Sequence, residues 1–413
     1  MRLFVLASLT AAAVAAACSA QDGTPVTGAT AGDPVETRAP NARDQQPAFE
    51  SQTRAPGVHS AVATTYKAVA SGLEHPWGLA LMPDGSWLVT ERPGRMRVIS
   101  SDGAVGEPIQ GLPGVDARGQ GGLLDVALSP SFAEDRLVYW SYAEPREGGN
   151  ATSVARGRLS QDKARVEAVQ VIFRAQPTYD GDKHFGSALA FDRDGRLYIT
   201  LGERSDRPMR PQAQDLGSHM GKVIRINADG SVPADNPFAD REGALPEIWS
   251  LGHRNVQGAA VQPSTGAIWT IEHGTRGGDE LNRPEAGKNY GWPIIAYGVE
   301  YAGGPINEGV TARAGMEQPI YYWDPVIAPG GMTFYDGAMF PGWRGNILAS
   351  GLGGRHLARL VVDGDRVVGE ERLLTDLGER IRDVAAGPDG AVWVITDEQD
   401  GKLVRLSVAE PAA

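Results

Sequence analysis

One local phrase recurs six times along the chain: a short run of small and apolar residues, a tight turn often carrying Asp-Gly, and a second apolar strand. The first copy reads Trp77-Gly78-Leu79-Ala80-Leu81, turns at Pro83-Asp84-Gly85 and resumes at Trp87-Leu88-Val89-Thr90. The last runs Asp383-Val384-Ala385-Ala386, Gly387-Pro388-Asp389-Gly390, then Ala391-Val392-Trp393-Val394-Ile395-Thr396. The others begin at Leu123, Ala188, Gly258 and Gly331. A repeated strand-turn-strand unit cannot bury its apolar face alone, so its copies must stack. Irregular spacing suits propeller blades, whose connecting loops vary, and a two-sheet sandwich would not need the repetition.

No stretch shows sustained helical periodicity, and 53 Gly and 28 Pro punctuate the chain. The expected fold is all-β: a six-bladed β-propeller with four-stranded blades around a central channel, occupying residues 61–409. Ring closure joins the chain ends in one blade, so Tyr66 to Ala70 is expected to pair with the final blade.

What precedes the repeats is of another kind. Met1-Arg2 followed by an unbroken small and apolar run to Ala17 reads as an export signal within residues 1–18. Cys18 is the single cysteine, so no internal disulfide can form. Its place after Ala15-Ala16-Ala17 resembles a bacterial lipoprotein processing site, and ordinary cleavage nearby is the alternative. Residues 19–60 hold few large apolar residues and are expected to be a disordered tether. The expected location is the periplasm or cell envelope, with the membrane touched only through a lipid on Cys18. A net charge of −12 gives no cationic footprint for nucleic acid.

Just upstream of the first strands stand polar residues that are costly to place near a core: Gln120, His184, Arg254-Asn255 and Arg380-Ile381-Arg382-Asp383. In a propeller these positions converge on one face. A cluster of Gln, His, Asn and Arg around one opening suits an anionic, hydrogen-bonding ligand. Taken singly each has a plainer reading: His184 as a structural histidine, Arg382-Asp383 as an ion pair at a blade corner, Arg254-Asn255 as turn packing. A second constellation, residues 272–282, combines glycines with Glu272, Asp279 and Glu280. Such a loop can offer carbonyl and carboxylate oxygens to calcium, or serve only as a glycine-rich connection with solvated acids. No zinc spacing, dinucleotide-binding glycine motif or serine-hydrolase elbow occurs.

With these segments assembled, the chain resembles the soluble pyrroloquinoline quinone (PQQ) dehydrogenases of the glucose/sorbosone dehydrogenase family, and within it the bacterial aldose sugar dehydrogenase branch. The resemblance rests on Gly119-Gln120-Gly121-Gly122-Leu123-Leu124, His184-Phe185-Gly186, Leu251-Gly252-His253-Arg254-Asn255, residues 272–282, Asn289-Tyr290-Gly291-Trp292-Pro293, Ile327-Ala328-Pro329-Gly330-Gly331 and Arg380-Ile381-Arg382-Asp383. It implies oxidation of an aldose at C1 to the lactone, with His184 as general base and Gln120 contacting substrate or cofactor. It implies that Arg254, Asn255, Arg380 and Arg382 hold the tricarboxylate quinone, with Asp279 and Trp323 in the same pocket. Backbone carbonyls of Gly274 and Thr275 would bind the calcium that polarises it. These roles agree with the chemistry, since arginine forks suit planar carboxylates and calcium acts as a Lewis acid. Two positions depart from the family pattern. A quinone-contacting lysine is replaced in Ser350-Gly351-Leu352-Gly353, with Arg355 as the nearest substitute, and an arginine is replaced by Ala188. A calcium-dependent propeller lactonase and a non-enzymatic envelope binding protein are the competing functions, because one propeller hosts many chemistries. Substrate choice is expected in loops 205–220 and 297–318; the sugar, the electron acceptor and the oligomeric state are not written in the sequence.

Overall fold

The computed structural model describes residues 32–410. Six sheets form the ring. The first blade holds Pro76–Leu81, Trp87–Glu91 and Arg95–Ile99; the second Leu123–Leu128, Leu137–Arg146, Gly149–Leu159 and Val166–Arg174. The third is built from Gly186–Phe191, Arg196–Leu201, Lys222–Asn227 and Ile248–Leu251, and the fourth from Val256–Val261, Ile268–Glu272, Asp279–Asn282 and Tyr321–Trp323. The fifth uses Pro329–Phe334, Ile347–Gly351, His356–Asp363 and Arg366–Leu373. In the sixth, Ile381–Ala386, Val392–Thr396 and Gly401–Val408 are completed by Thr64–Leu73 from the start of the domain, as expected for ring closure. The first strand of each blade touches the first strand of the next, and the sixth touches the first.

The first blade corrects the expectation of four strands throughout. It has three among the described residues. The chain beside its third strand donates Gly106 and Ile109 N–H to the carbonyls of Val98 and Met96, both at 2.8 Å, but makes no regular ladder. Pro108 has no N–H to give there.

The Asp-Gly turns behave as their chemistry requires: Gly85, Gly195 and Gly390 have φ of 81°, 77° and 81°, the left-handed region that glycine enters at no steric cost. The apolar core is divided among the seams. Met96, Trp140 and Val126 fill the first seam, Tyr139, Ile199 and Ile224 the second, Tyr198, Val223 and Ile268 the third. Trp269, Met332 and Phe334 fill the fourth, Leu348, Val384 and Val394 the fifth, and Trp87, Val89 and Trp393 the last. Hydroxyls on the second strands stitch neighbouring blades together. Ser141 Oγ donates to the Ser187 carbonyl at 2.7 Å, Thr200 Oγ1 to Val256 at 2.9 Å, and Ser350 Oγ to Arg382 at 3.0 Å.

Two carboxylates work the same way inside the channel. Asp125 Oδ2 accepts the N–H of Leu189 in the next blade at 2.7 Å, and Asp383 Oδ2 accepts that of Leu79 at 2.9 Å. Their other oxygens accept Val126 and Val384 N–H, both at 2.8 Å. A Cβ on Gly331 would lie 1.8 Å from Asp383 Oδ1, so the first strand of the neighbouring fifth blade can approach only as glycine.

The expectation of a disordered tether over residues 19–60 is corrected for residues 32–60, which lie against the fourth and fifth blades. Gly32–Pro34 pairs with Pro56–Gly57, which covers the outer edge of the fifth blade beside Glu370. Asp324 accepts the N–H groups of Asn41 and Ala42 at 2.8 and 2.9 Å. The fully buried Gln52 donates to the Pro319 carbonyl at 2.9 Å, and Tyr297 Oη donates to its Oε1 at 3.0 Å. Gln45 Oε1 accepts Gly298 N–H at 2.7 Å. This strap is ordered by polar side chains that satisfy backbone groups of the propeller, a source of order that does not depend on large apolar residues. The export signal and Cys18 lie outside the described residues. Among the described residues no helix is long and apolar enough to cross a membrane.

Candidate active site

His184 sits at the entry to the first strand of the third blade in a left-handed conformation, φ 49°, and is 4 % exposed. Its N–H donates to Gln120 Oε1 at 2.9 Å, so the second blade braces the turn. Its Nδ1 lies 3.0 Å from Oε1 of Glu203, which is wholly buried at the end of the neighbouring strand. Burial and the nearby Arg254, Arg210 and Arg204 hold the imidazole well below its ordinary pKa. The ring is therefore neutral near pH 7. When Glu203 is ionised, Nδ1 carries the proton and donates it to the carboxylate, which leaves Nε2 with a lone pair. Burial pushes Glu203 up to about 7, so this tautomer is set by a carboxyl that ionises near neutral pH.

Of the expected site residues, Gln120, Arg380 and Arg382 line one recess, and Arg254 lines a neighbouring cleft, with His273 bordering both. The recess, of about 90 Å³, is lined by Trp77, Arg92, Gln120, Gln257, Arg380 and Arg382, among others. It is smaller than a three-ring acid. The Arg382 guanidinium lies 3.9 Å over the Trp77 ring and donates to Gln257 Oε1 at 3.0 Å. Burial lowers its pKa to about 10, still fully charged near neutrality. Arg380 is more open and faces Asp397 at 3.3 Å. Arg254 lies over Trp292 at 5.2 Å and donates to the His273 carbonyl at 3.0 Å. Asn255 Oδ1 accepts the Gly186 N–H at 3.1 Å and so joins the third and fourth blades.

Several groups at the mouth are left with open donors. Arg254 Nε, Asn255 Nδ2, Arg382 Nε and Arg92 Nε are buried without a hydrogen-bond partner among the described residues. A buried donor left open costs about 1–3 kcal/mol, so such a cluster is sustained where a ligand supplies acceptors. It is matched to an anion rich in carboxylates.

Two expected pocket residues are elsewhere. Asp279 gives Oδ1 to Gly274 N–H at 2.7 Å and Oδ2 to Ile327 and Ala328 N–H at 2.8 and 2.7 Å. It is a brace between the glycine loop and the fifth blade, with burial pushing its pKa up to about 7. Trp323 lies on the outermost strand of its blade, packed edge-on against Tyr321 at 4.9 Å within the seam core, and does not reach the mouth. Arg355 does not stand in for the missing lysine. It is exposed and donates to the Gly378 carbonyl at 2.9 Å, while Leu352 lines the recess.

The glycine loop is firmly built. Gly274 packs so tightly that a Cβ would lie 2.3 Å from the Gly278 carbonyl carbon, and Thr275 Oγ1 donates to the Val299 carbonyl at 2.6 Å. No group of three His, Cys, Asp or Glu side chains is arranged to hold a metal among the described residues, so a cation here would depend on backbone oxygens.

Sequence reading missed Glu203, Arg92 and His273 as members of the site. Glu203 and Arg92 follow second strands and not first strands, and only the phrase Gly202-Glu203-Arg204, polar directly after Ile199-Thr200-Leu201, hinted at them.

Comparison with known proteins gives a consistent result. The family described as Glucose / Sorbosone dehydrogenase matches residues 73–405. The aldose sugar dehydrogenase YliI of Escherichia coli (strain K12) is 45% identical over 338 residues, covering 81% of this chain and 90% of that protein. A crystal structure of a glucose dehydrogenase is 51% identical with a TM-score of 0.81, covering 84% of this chain and 100% of that one. The PQQ-bound form of an aldose sugar dehydrogenase from Streptomyces coelicolor is 28% identical with a TM-score of 0.69, covering 85% and 100%.

Proposed function

Since the chain belongs to the glucose/sorbosone dehydrogenase family, we propose that it oxidises aldose sugars at C1 to the lactone using PQQ and calcium. The observation that carries this reading is the set of buried, unpartnered Arg and Asn nitrogens beside a neutral histidine tied to a carboxylate. Those donors fit a tricarboxylate: Arg254, Asn255, Arg380 and Arg382 would hold it, and Arg92 adds a cation where the fifth blade offers Leu352. The carbonyls of Gly274 and Thr275 are the calcium ligands in this reading. When bound, the calcium-polarised quinone supplies a two-electron acceptor for the hydrogen that leaves C1 with its bonding pair.

The chain's own residues handle the proton. His184 Nε2 takes it from the C1 hydroxyl, and Glu203 holds the ring in the tautomer that can do so and stabilises the imidazolium that forms. Gln120 fixes the backbone of the histidine turn. Burial, with Arg254, Arg210 and Arg204 nearby, keeps the resting imidazole neutral. The protein is exported in this reading and works in the cell envelope, held there by a lipid on Cys18.

Purified protein mixed with calcium, PQQ, an aldose and a dye acceptor tests this. Sugar-dependent dye reduction is expected, and its absence with every aldose tried would overturn the assignment. Lactone opening without the quinone would point to a lactonase.

A further inference from the structure

The strap over residues 32–60 lies ahead of the segment shared with the family and meets the glycine loop at two points. At the first, one oxygen of Asp324 accepts both the N–H and the side-chain amide of Asn41, while the other accepts the Ala42 N–H. Gly277 rests on the carboxyl so fixed: a Cβ there would lie 2.5 Å from Asp324 Cγ. At the second, Gln45 closes a two-way pair with the Gly298 backbone, accepting its N–H and donating to its carbonyl at 3.2 Å. Gly298 in turn lies against the loop, since a Cβ on it would collide with the Gly277 carbonyl oxygen. The next residue, Val299, exchanges backbone hydrogen bonds with Arg276 in both directions, at 3.0 and 3.1 Å, and its carbonyl also accepts Thr275 Oγ1.

We propose that the strap is a positioning clamp for this loop, so that Asn41, Ala42 and Gln45 set its affinity for calcium without touching the cation. The inference rests on the reading of the Gly274 and Thr275 carbonyls as calcium ligands. Two features call for a clamp. Neutral carbonyls bring no net charge, so affinity for a hard cation depends on how rigidly the oxygens are held. The loop cannot supply that rigidity alone, because Gly277 and Gly278, at φ 86° and 80°, carry no side chain to restrict the backbone. Gly274 is braced from within by Asp279. Thr275 to Gly278 are held from outside: Val299 engages Thr275 and Arg276, the Trp323 carbonyl accepts the Gly278 N–H at 2.8 Å, and the strap fixes Gly298 and Asp324 behind them. Loosening the strap therefore frees the outer half of the loop.

The test compares two strap substitutions in the full-length protein. Gln45→Ala, at a half-buried position, opens the contact with Gly298. Ser60→Ala loosens the strap at the fifth blade, where Ser60 Oγ donates to Glu371 at 2.6 Å and makes no bond to the loop. Calcium is titrated calorimetrically without the quinone, and hydrogen exchange is followed at the Arg276 and Gly278 amides. Gln45→Ala is expected to bind calcium about tenfold more weakly and to exchange faster at both amides, while Ser60→Ala keeps wild-type values. In the PQQ-loaded enzyme Gln45→Ala should need about tenfold more calcium for half-maximal dye reduction and reach the wild-type rate at saturation. Unchanged calcium affinity in Gln45→Ala, or equal weakening in both variants, would overturn the clamp. A wild type that binds no calcium would refute the calcium reading instead; faster exchange confined to Gln45→Ala then still supports the clamp, and unchanged exchange overturns it.

Discussion

Arg382 and Asp383 are neighbours in sequence, yet they serve opposite regions. Arg382 turns to the mouth and keeps a buried guanidinium nitrogen without a partner; Asp383 turns into the channel, and both its oxygens accept backbone N–H groups. The same division holds around the ring. Mouth residues such as Arg254 and Asn255 have donors to spare, whereas Asp125 in the channel has each oxygen engaged. A buried carboxyl with both oxygens engaged is a clasp between blades, and a buried donor left open is an invitation to a ligand. Burial raises the pKa of both channel carboxylates, and Asp125 raises Asp383 further.

If this division is right, mouth substitutions cost activity and channel substitutions cost stability. His184→Ala should lower kcat by about 10²–10⁴-fold with cofactor affinity nearly unchanged, as read by single-turnover kinetics and quinone titration. Equal loss of both would make the histidine structural. Arg382→Met should weaken quinone binding about 10–100-fold, by one charge-assisted bond, while thermal unfolding stays put or rises. A large fall in Tm would blur the distinction. Asp383→Ala should do the reverse, since it strands the Leu79 and Val384 N–H groups. A loss of about 2–4 kcal/mol in denaturant unfolding is expected, with quinone affinity kept.

Two smaller effects concern pH. kcat/KM should rise through about pH 7 as Glu203 ionises, and Glu203→Gln should erase that limb along with most of the activity. In the channel the sign differs. A carboxyl whose pKa is higher folded than unfolded binds more protons in the native state, so its contribution to stability is lost as pH rises through the folded pKa. Asp383→Asn should therefore flatten the decline of Tm from about pH 4 upward. A variant that tracks the wild type across that range would show that the carboxyl ionises as freely in the folded chain as in the unfolded one.

The ring and the cationic mouth were legible because each depends on local, repeated features: Asp-Gly turns, small first strands, and polar residues stationed before them. Gln120, His184, Arg254, Asn255, Arg380 and Arg382 all follow that rule. Glu203 does not, since it reaches His184 from the far end of a hairpin, and register decides whether two such side chains meet. Trp323 and Asp279 entered the expected pocket through the resemblance alone, and their local sequence does not say which surface of the blade they face. The strap over residues 32–60 escaped because composition reports apolar content, and Gln45, Gln52 and Arg54 act through hydrogen bonds to distant backbone.

The pairing of Thr64–Leu73 with Gly401–Val408 bears on how the molecule is made. The ring's last ladder waits for the final residues to be synthesised, so no growing chain can shut prematurely. The closure also makes the ligand mouth, which takes Trp77 and Arg92 from the first blade and Arg380 and Arg382 from the sixth, depend on the completed ring.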